Sequence, residues 1–262
     1  MARNDTRDKV IRYIDYDNDI LHQTVMNIAL IIAGGVGARM GQDIPKQFIN
    51  VYDKPVIVYT MEAFQSHPNI DGIEIVCLEG WHEIVYAYAK QFGITKLENV
   101  ANGGVNGQDS IRNGLQDIAT RHHNDDDIVL IHDAIRPMLS QDIISDNIRV
   151  CKQCGNAITV VPCTAAMLKT FDGVSSEEQV PRDNLKTTQT PQTFFLKDIL
   201  DAHKEALEKG ITKSVASCTM YIELGRKLHM SMGSEKNLKL TTPEDIEIFK
   251  ALLNAKKDKW MH

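Results

Sequence analysis

The sequence has no apolar run approaching the roughly 20 residues that a membrane span needs. That removes transmembrane readings and leaves a protein expected to work away from the membrane. It has no strong excess of one charge. Lysine plus arginine number 29 and aspartate plus glutamate 35, a formal charge of −6. This balance argues against a general nucleic-acid or anionic-membrane binder, but it leaves room for a local anion pocket. Cysteines are few and odd in number: Cys77, Cys151, Cys154, Cys163 and Cys218. The first 26 residues carry no apolar secretory core, so a reduced, cytoplasmic protein is expected rather than a disulfide framework. "CKQC", Cys151 to Cys154, has zinc-pair spacing but no second pair to complete a site. It reads as two thiols on a helix. "NDDD", residues 124–127, reads as a solvated loop. There is no internal repeat, no low-complexity segment and no evident nucleophile–base pair.

What the sequence does contain is alternation. At 262 residues it is long enough for one large domain or two small ones and for a full core. "IALIIA" (28–33), "GIEIVCL" (72–78), "DIVLIHD" (127–133) and "AITVVPC" (157–163) are strand-like apolar runs. Between them lie helical stretches, with Ile57, Met61 and Phe64 on one face, Ile111, Leu115 and Ile118 on another, and Ile144, Ile148 and Cys151 on a third. The pattern predicts an α/β fold, a Rossmann-like and mostly parallel sheet with helices on both faces. Such sheets bind ligands at the carboxyl ends of their strands. The rhythm changes after Pro162. Residues of about 163–193 read as an extended β-hairpin arm. Residues 1–26 read as an extension and 27–262 as the domain. Thr242, Pro243 and Asp245 form a good helix start.

The chemistry centres on "AGGVGARMGQDIPKQF", residues 33–48. A dinucleotide turn requires G-x-G-x-x-G, and Gly35, Gly37 and Gly41 miss that spacing by one. The lysine is not followed by Ser or Thr, which excludes a Walker A loop. Gly34, Gly35 and Gly37 still permit close backbone approach, so that N–H groups can face phosphate oxygens. Arg39 and Lys46 supply fixed cations in the same segment. Phosphoryl and nucleotidyl transfer depend chiefly on such positioning and charge stabilisation. The competing reading is a plain glycine turn carrying two exposed cations.

Four further motifs follow in order: "GGVNGQDSIRNGL", "HDAIRP", "TPQTF" and "NLKLTTPED". Together with the glycine segment, over residues of about 27–255, they resemble the cytidylyltransferases that act on methylerythritol phosphate and ribitol 5-phosphate. The resemblance implies a nucleotidyltransferase domain. It implies that Ala33, Gly34, Gly35 and Gly37 wrap the CTP phosphates, that Gly103, Gly104 and Ser110 read the cytosine, and that Arg39, Lys46 and Lys239 are catalytic. It places Asp133, Arg136, Arg182 and Thr190 at the acceptor, with Asp133 near a Mg2+ or another divalent cation. It also implies a homodimer formed through the arm, with CTP and a polyol phosphate as substrates.

The chain departs from the family pattern on the acceptor side. Ala165 and Ala166 stand where Asp-Thr is usual, and Gly107 and Gln108 stand where an arginine commonly follows the paired glycines. "TKSVAS", with Lys213 and Ala216, replaces a segment that is usually acidic. Losing one hydroxyl at a site built to hydrogen-bond shifts specificity strongly. The altered arm favours ribitol 5-phosphate or a related polyol phosphate, feeding cell-surface polymers, over the methylerythritol phosphate of isoprenoid synthesis. A CTP-binding protein without turnover is the remaining alternative. His132 reads as a hydrogen-bonded structural residue, and Trp81 and Trp260 as packing or surface residues.

Overall fold

The computed structural model describes residues 25–35 and 44–258, with side chains to residue 255. Gly37, Arg39, Trp260 and residues 1–24 of the extension lie outside the described residues. The elements in chain order are β1 (Asn27–Ala33), β2 (Asn50–Val51), β3 (Lys54–Pro55), α1 (Val56–Gln65), β4 (Gly72–Cys77), α2 (His82–Gln91), β5 (Leu97–Asn102), α3 (Gly107–Ala119) and β6 (Ile128–Asp133). They continue with α4 (Gln141–Cys154), β7 (Asn156–Pro162), β8 (Met167–Lys169), β9 (Glu178–Val180), β10 (Lys186–Phe195), α5 (Leu196–Glu208), α6 (Ser217–Glu223), β11 (Met230–Met232) and α7 (Pro243–Asp258).

Strand β1 shows why a continuous apolar run becomes a central strand. Its side chains alternate between two cores. Ala29, Ile31 and Ala33 face one apolar cluster with α1, α2 and α4. Ile28 and Leu30 face another with α3, α5 and α6. A strand buried on both faces must be apolar at every position, which is the pattern of a parallel sheet. The expected helix faces land here: Ile57, Met61 and Phe64 in the first cluster, Leu115 and Ile118 in the second. Full burial of side chains of this size contributes about 1.5–3 kcal/mol each. Gly114 lets α3 sit close to the sheet, because a Cβ there would lie 2.5 Å from Val76 and 2.6 Å from Leu30. Helix α7 starts in a reciprocal cap, with Thr242 N–H donating to Asp245 at 2.8 Å. It packs Phe249 edge-on against Tyr59.

The main sheet has seven strands in the order β11-β7-β10-β6-β1-β4-β5. Every pairing within it is parallel except those of β10 with β6 and β7. The chain leaves β1 toward β4 and β5, then returns to β6 on the other side. That reversal sets the carboxyl ends of β1 and β6 side by side, with Ile32 opposite Asp133, at the kind of switch point where such sheets bind ligands.

Two expectations are corrected here. The arm is shorter than about 163–193. It spans residues 163–185, with β8 and β9 paired from Met167↔Val180 to Lys169↔Glu178. Residues 186–195 form β10, inside the sheet. Pro191 and the polar run around it argue against a central strand. A register shift between Thr188 and Gln192 accommodates them. Within "NDDD", Asp127 is buried, not solvated, and accepts the Met26 N–H at 2.7 Å.

One buried acid lies under α3. Glu74 on β4 is fully buried, and Arg121 reaches it at 2.6 Å. Arg121 also pairs with Asp117 at 2.6 Å. Burial, then the neighbouring Asp117 charge, push the Glu74 carboxyl up to about 9, and Arg121 offsets this only in part. Its Oε1 has no hydrogen-bond partner among the described residues. An acid with a raised folded pKa stabilises the fold at low pH, and the contribution fades between about 4.5 and about 9. Glu74→Gln is therefore expected to flatten the fall in melting temperature between pH 5 and pH 9. At pH 8.5 it should melt about 2 °C or more above the parent protein. Parallel melting curves across that range would mean that Glu74 is ionised in the fold.

Candidate active site

The first half of the site gathers where β1, β4 and β5 end. Ala33 closes β1, and its carbonyl accepts the Gln47 side-chain amide at 2.6 Å. Gly34 and Gly35 follow. A Cβ on Gly34 would lie 3.3 Å from Ser110 Oγ, and one on Gly104 would lie 2.4 Å from Asp109 Cβ. Only glycine leaves the Gly104 turn undistorted. Gly103 N–H donates to the Cys77 carbonyl at 2.8 Å, which fixes the turn to the end of β4. Gly104 N–H donates to Ser110 Oγ at 2.9 Å, and the Ser110 hydroxyl donates to the Asn106 carbonyl at 2.9 Å. The Asn106 side chain in turn caps α3 by accepting the Asp109 N–H at 2.9 Å. Gly34, Gly103, Gly104 and Ser110 are thus brought together. With its proton given and one hydrogen bond accepted, the Ser110 hydroxyl has one lone pair left. Toward a ligand it acts as an acceptor.

The second half gathers at the carboxyl end of β6. Asp133 Oδ2 meets Arg136 Nε at 3.2 Å and Lys239 Nζ at 3.1 Å. Burial alone would raise this carboxyl, but Lys239 and then Arg136 outweigh it and hold it below the ordinary range. Asp133 therefore stays ionised at neutral pH. Arg136 also donates from Nη1 to the Asn237 carbonyl at 2.7 Å. Thr190 stands between Asp133 and His132. Its Oγ1 accepts the Asp133 N–H at 3.1 Å and lies 3.0 Å from His132 Nδ1. His132 Nε2 lies 3.2 Å from the Arg136 carbonyl. The network is satisfied when Nε2 carries the proton and Nδ1 accepts from Thr190. Burial lowers the His132 pKa to about 4, so the ring is neutral at pH 7. It is a structural member of the network.

Asp133, Arg136, Thr190 and Lys239 are therefore one cluster. Lys46 sits on the 3-10 turn Lys46–Phe48, whose Gln47 is tied to Ala33. Arg182 stands apart on the exposed arm, where its Nη1 donates to the Thr164 carbonyl at 3.0 Å. Gly37 and Arg39 lie outside the described residues.

Two residues, Gln47 and Asn237, are not singled out by the sequence, and Gln108 stands out there only as a departure from the family pattern. Gln47 anchors the lysine turn. Asn237 is fully buried and donates to the Thr190 carbonyl at 2.9 Å and to Gln189 Oε1 at 3.2 Å. Gln108 donates to the Ile211 carbonyl at 2.8 Å and accepts the Ser214 N–H at 2.9 Å, fastening the "TKS" segment to α3. The motifs containing them were legible, but partners as much as 106 residues away were not.

The model of the IspD family, 2-C-methyl-D-erythritol 4-phosphate cytidylyltransferase, matches residues 27–255. The chain belongs to this cytidylyltransferase family. Among curated relatives, it is 40% identical to a "Ribitol-5-phosphate cytidylyltransferase" of Lacticaseibacillus paracasei, over 88% of this chain and 99% of that one. It is 37% identical to a "2-C-methyl-D-erythritol 4-phosphate cytidylyltransferase" of Clostridium botulinum, over 87% and 97%. A solved structure of the Francisella tularensis 2-C-methyl-D-erythritol 4-phosphate cytidylyltransferase aligns with a TM-score of 0.70 at 26% identity, covering 85% of this chain and 97% of that one. These matches support the mostly parallel α/β fold and a nucleotidyltransferase activity for this cytidylyltransferase. No helix among the described residues is long and apolar enough to cross a membrane.

The Thr190 hydroxyl serves two buried partners at once. Thr190→Val is expected to leave the Asp133 N–H and the His132 ring unpaired, destabilising the cytidylyltransferase by about 1–3 kcal/mol in urea. Thr190→Ser keeps the hydroxyl and should unfold close to the parent midpoint. Equal losses in both variants would show that the methyl group, not the hydroxyl, matters.

Proposed function

We propose that the protein transfers CMP from CTP to ribitol 5-phosphate, or to a closely related polyol phosphate, releasing pyrophosphate. The observation that carries this reading is the pairing of two half-sites at one crevice. One half is a glycine turn backed by Ser110. The other is an ionised Asp133 between two cations. The ribitol-5-phosphate name of the relatives at up to 40% identity supports the choice of acceptor.

In this reading Ala33, Gly34, Gly35 and Gly37 wrap the triphosphate. Gly103, Gly104 and Ser110 read the base. The free lone pair of Ser110 suits an amino donor, which cytosine carries and uracil lacks. The acceptor's phosphate lies toward Arg136 and Thr190, with Arg182 reaching it from the arm of a second subunit in a cytoplasmic homodimer. Arg39, Lys46 and Lys239 hold the phosphates in line and take up negative charge as it develops. An oxygen of the acceptor's phosphate attacks the α-phosphorus, and the bond to pyrophosphate breaks.

A divalent cation fits this site. Both ion pairs of Asp133 close on Oδ2. Mg2+ commonly takes one or two protein carboxylates and completes its shell with substrate phosphates and water. Asp133 would hold it, directly or through water. When bound, the ion offsets repulsion between the two anionic reactants.

Pyrophosphate release from CTP on addition of ribitol 5-phosphate, with Mg2+ present, tests the assignment. Lys46→Ala is expected to abolish release while the circular dichroism spectrum is unchanged. Wild-type turnover in a folded Lys46→Ala protein would defeat the assignment. Arg182→Ala is expected to raise the acceptor's KM more than that of CTP. An unchanged acceptor KM would take the arm out of the site.

A further inference from the structure

Lys46 depends on what holds its turn. Two side-chain anchors are among the contacts that hold the chain around it. Gln47, almost fully buried, donates to the last carbonyl of β1. Phe48, also buried, lies flat against Trp81, with ring centroids 4.3 Å apart and planes within 9°. The turn closes on itself through Phe48 N–H to the Pro45 carbonyl at 2.8 Å. Trp81 comes from another part of the fold, the turn between β4 and α2. Gly80 just before it has φ +83, a conformation glycine adopts without strain. The chain then turns into α2, where the Trp81 carbonyl accepts the Val85 N–H at 3.1 Å. Trp81 is half-buried, at the margin of the core cluster that holds Phe48.

We propose that Trp81 is a positioning residue for Lys46: its ring is the wall against which the Lys46–Phe48 turn is set. The proposal rests on the catalytic reading of Lys46. A lysine side chain is long and flexible, so where its ammonium group acts depends on how firmly its backbone is held. Of the two anchors, the Gln47 hydrogen bond fixes the turn to β1. The aromatic stack fixes it to the turn that follows β4. Without the indole the turn loses the flat contact that sets its angle to the end of β4, while Gln47 and the Ile49 carbonyl, which accepts the Val56 N–H at 3.0 Å, still hold it. A shift of about 1 Å in a catalytic group costs up to 10²-fold in rate.

The test compares Trp81→Ala, Trp81→Phe and Lys46→Ala in CTP-dependent pyrophosphate release at saturating Mg2+, with CTP and ribitol 5-phosphate each varied in turn. Trp81→Ala is expected to lower kcat by about tenfold or more. The acceptor's KM should stay within about twofold, because the acceptor cluster lies on other strands. Trp81→Phe should restore most of kcat, since a phenyl ring can also stack on Phe48. Wild-type kcat in Trp81→Ala, or a loss that Trp81→Phe leaves unrepaired, would overturn the proposal while Lys46→Ala remained inactive. Wild-type turnover in Lys46→Ala would remove the reading of Lys46 and this proposal with it. Should Trp81→Ala fail to fold, Trp81 fluorescence in a Trp260→Phe background decides. CTP binding, followed in parallel by calorimetry, is expected to shift its emission. An unchanged spectrum with CTP bound would count against the proposal.

Discussion

Asp133 keeps its charge in a half-buried crevice because Arg136 and Lys239 close on the same carboxylate oxygen, and distant stretches of chain must meet for that to happen. Asp133 and Arg136 arrive with the end of β6. Lys239 arrives on the segment before α7. Thr190 arrives on β10, the antiparallel strand between β6 and β7. Asn237 joins them, taking a hydrogen bond from Arg136 on its carbonyl and giving one to the Thr190 carbonyl from its side chain. Removing either cation would leave a poorly compensated charge, which is costly away from bulk water. The cluster is therefore a constraint on how the last third of the chain packs.

The half of the site around Gly103, Gly104 and Ser110 is built differently. It uses backbone groups and one hydroxyl, with no charge of its own at the Gly103–Gly104 turn. Its rigidity comes from the absence of side chains: Gly104 has no room for a Cβ and Gly34 has little. A parallel sheet that reverses direction beside β1 places this neutral turn and the charged cluster at the same edge. Gln108 and Asn106 reach from the start of α3 to residues 211–214, so the segment that departs from the family pattern is tied to the Gly103–Gly104 turn.

Much of this was legible in the sequence because it is written in short periods. The double-sided burial of β1 shows as an unbroken apolar run, and the helix faces show as Ile57, Met61 and Phe64 or Ile111, Leu115 and Ile118. The motif residues Gly34, Gly103, Gly104 and Ser110 do come together, as do Asp133, Arg136, Thr190 and Lys239. Strand β10 was misread because its signals conflict. "TTQTPQT" is polar and contains Pro191, yet Gln189, Gln192 and Thr193 are buried. Gln192 is satisfied by the Cys218 N–H, and Thr193 donates to Asn147. Polar side chains with distant partners look like solvent-facing ones until the partners are known. Asp127 was misread for the same reason, its partner being Met26.

The acceptor that the enzyme uses is the most direct discriminator. The deciding measurement is kcat/KM for ribitol 5-phosphate and for 2-C-methyl-D-erythritol 4-phosphate, each with CTP and with UTP, followed by pyrophosphate release. The result expected from Ala165, Ala166 and Ser110 is a preference of about 10²-fold or more for ribitol 5-phosphate with CTP, and little turnover with UTP. Faster turnover of 2-C-methyl-D-erythritol 4-phosphate, or equal use of UTP, would contradict it.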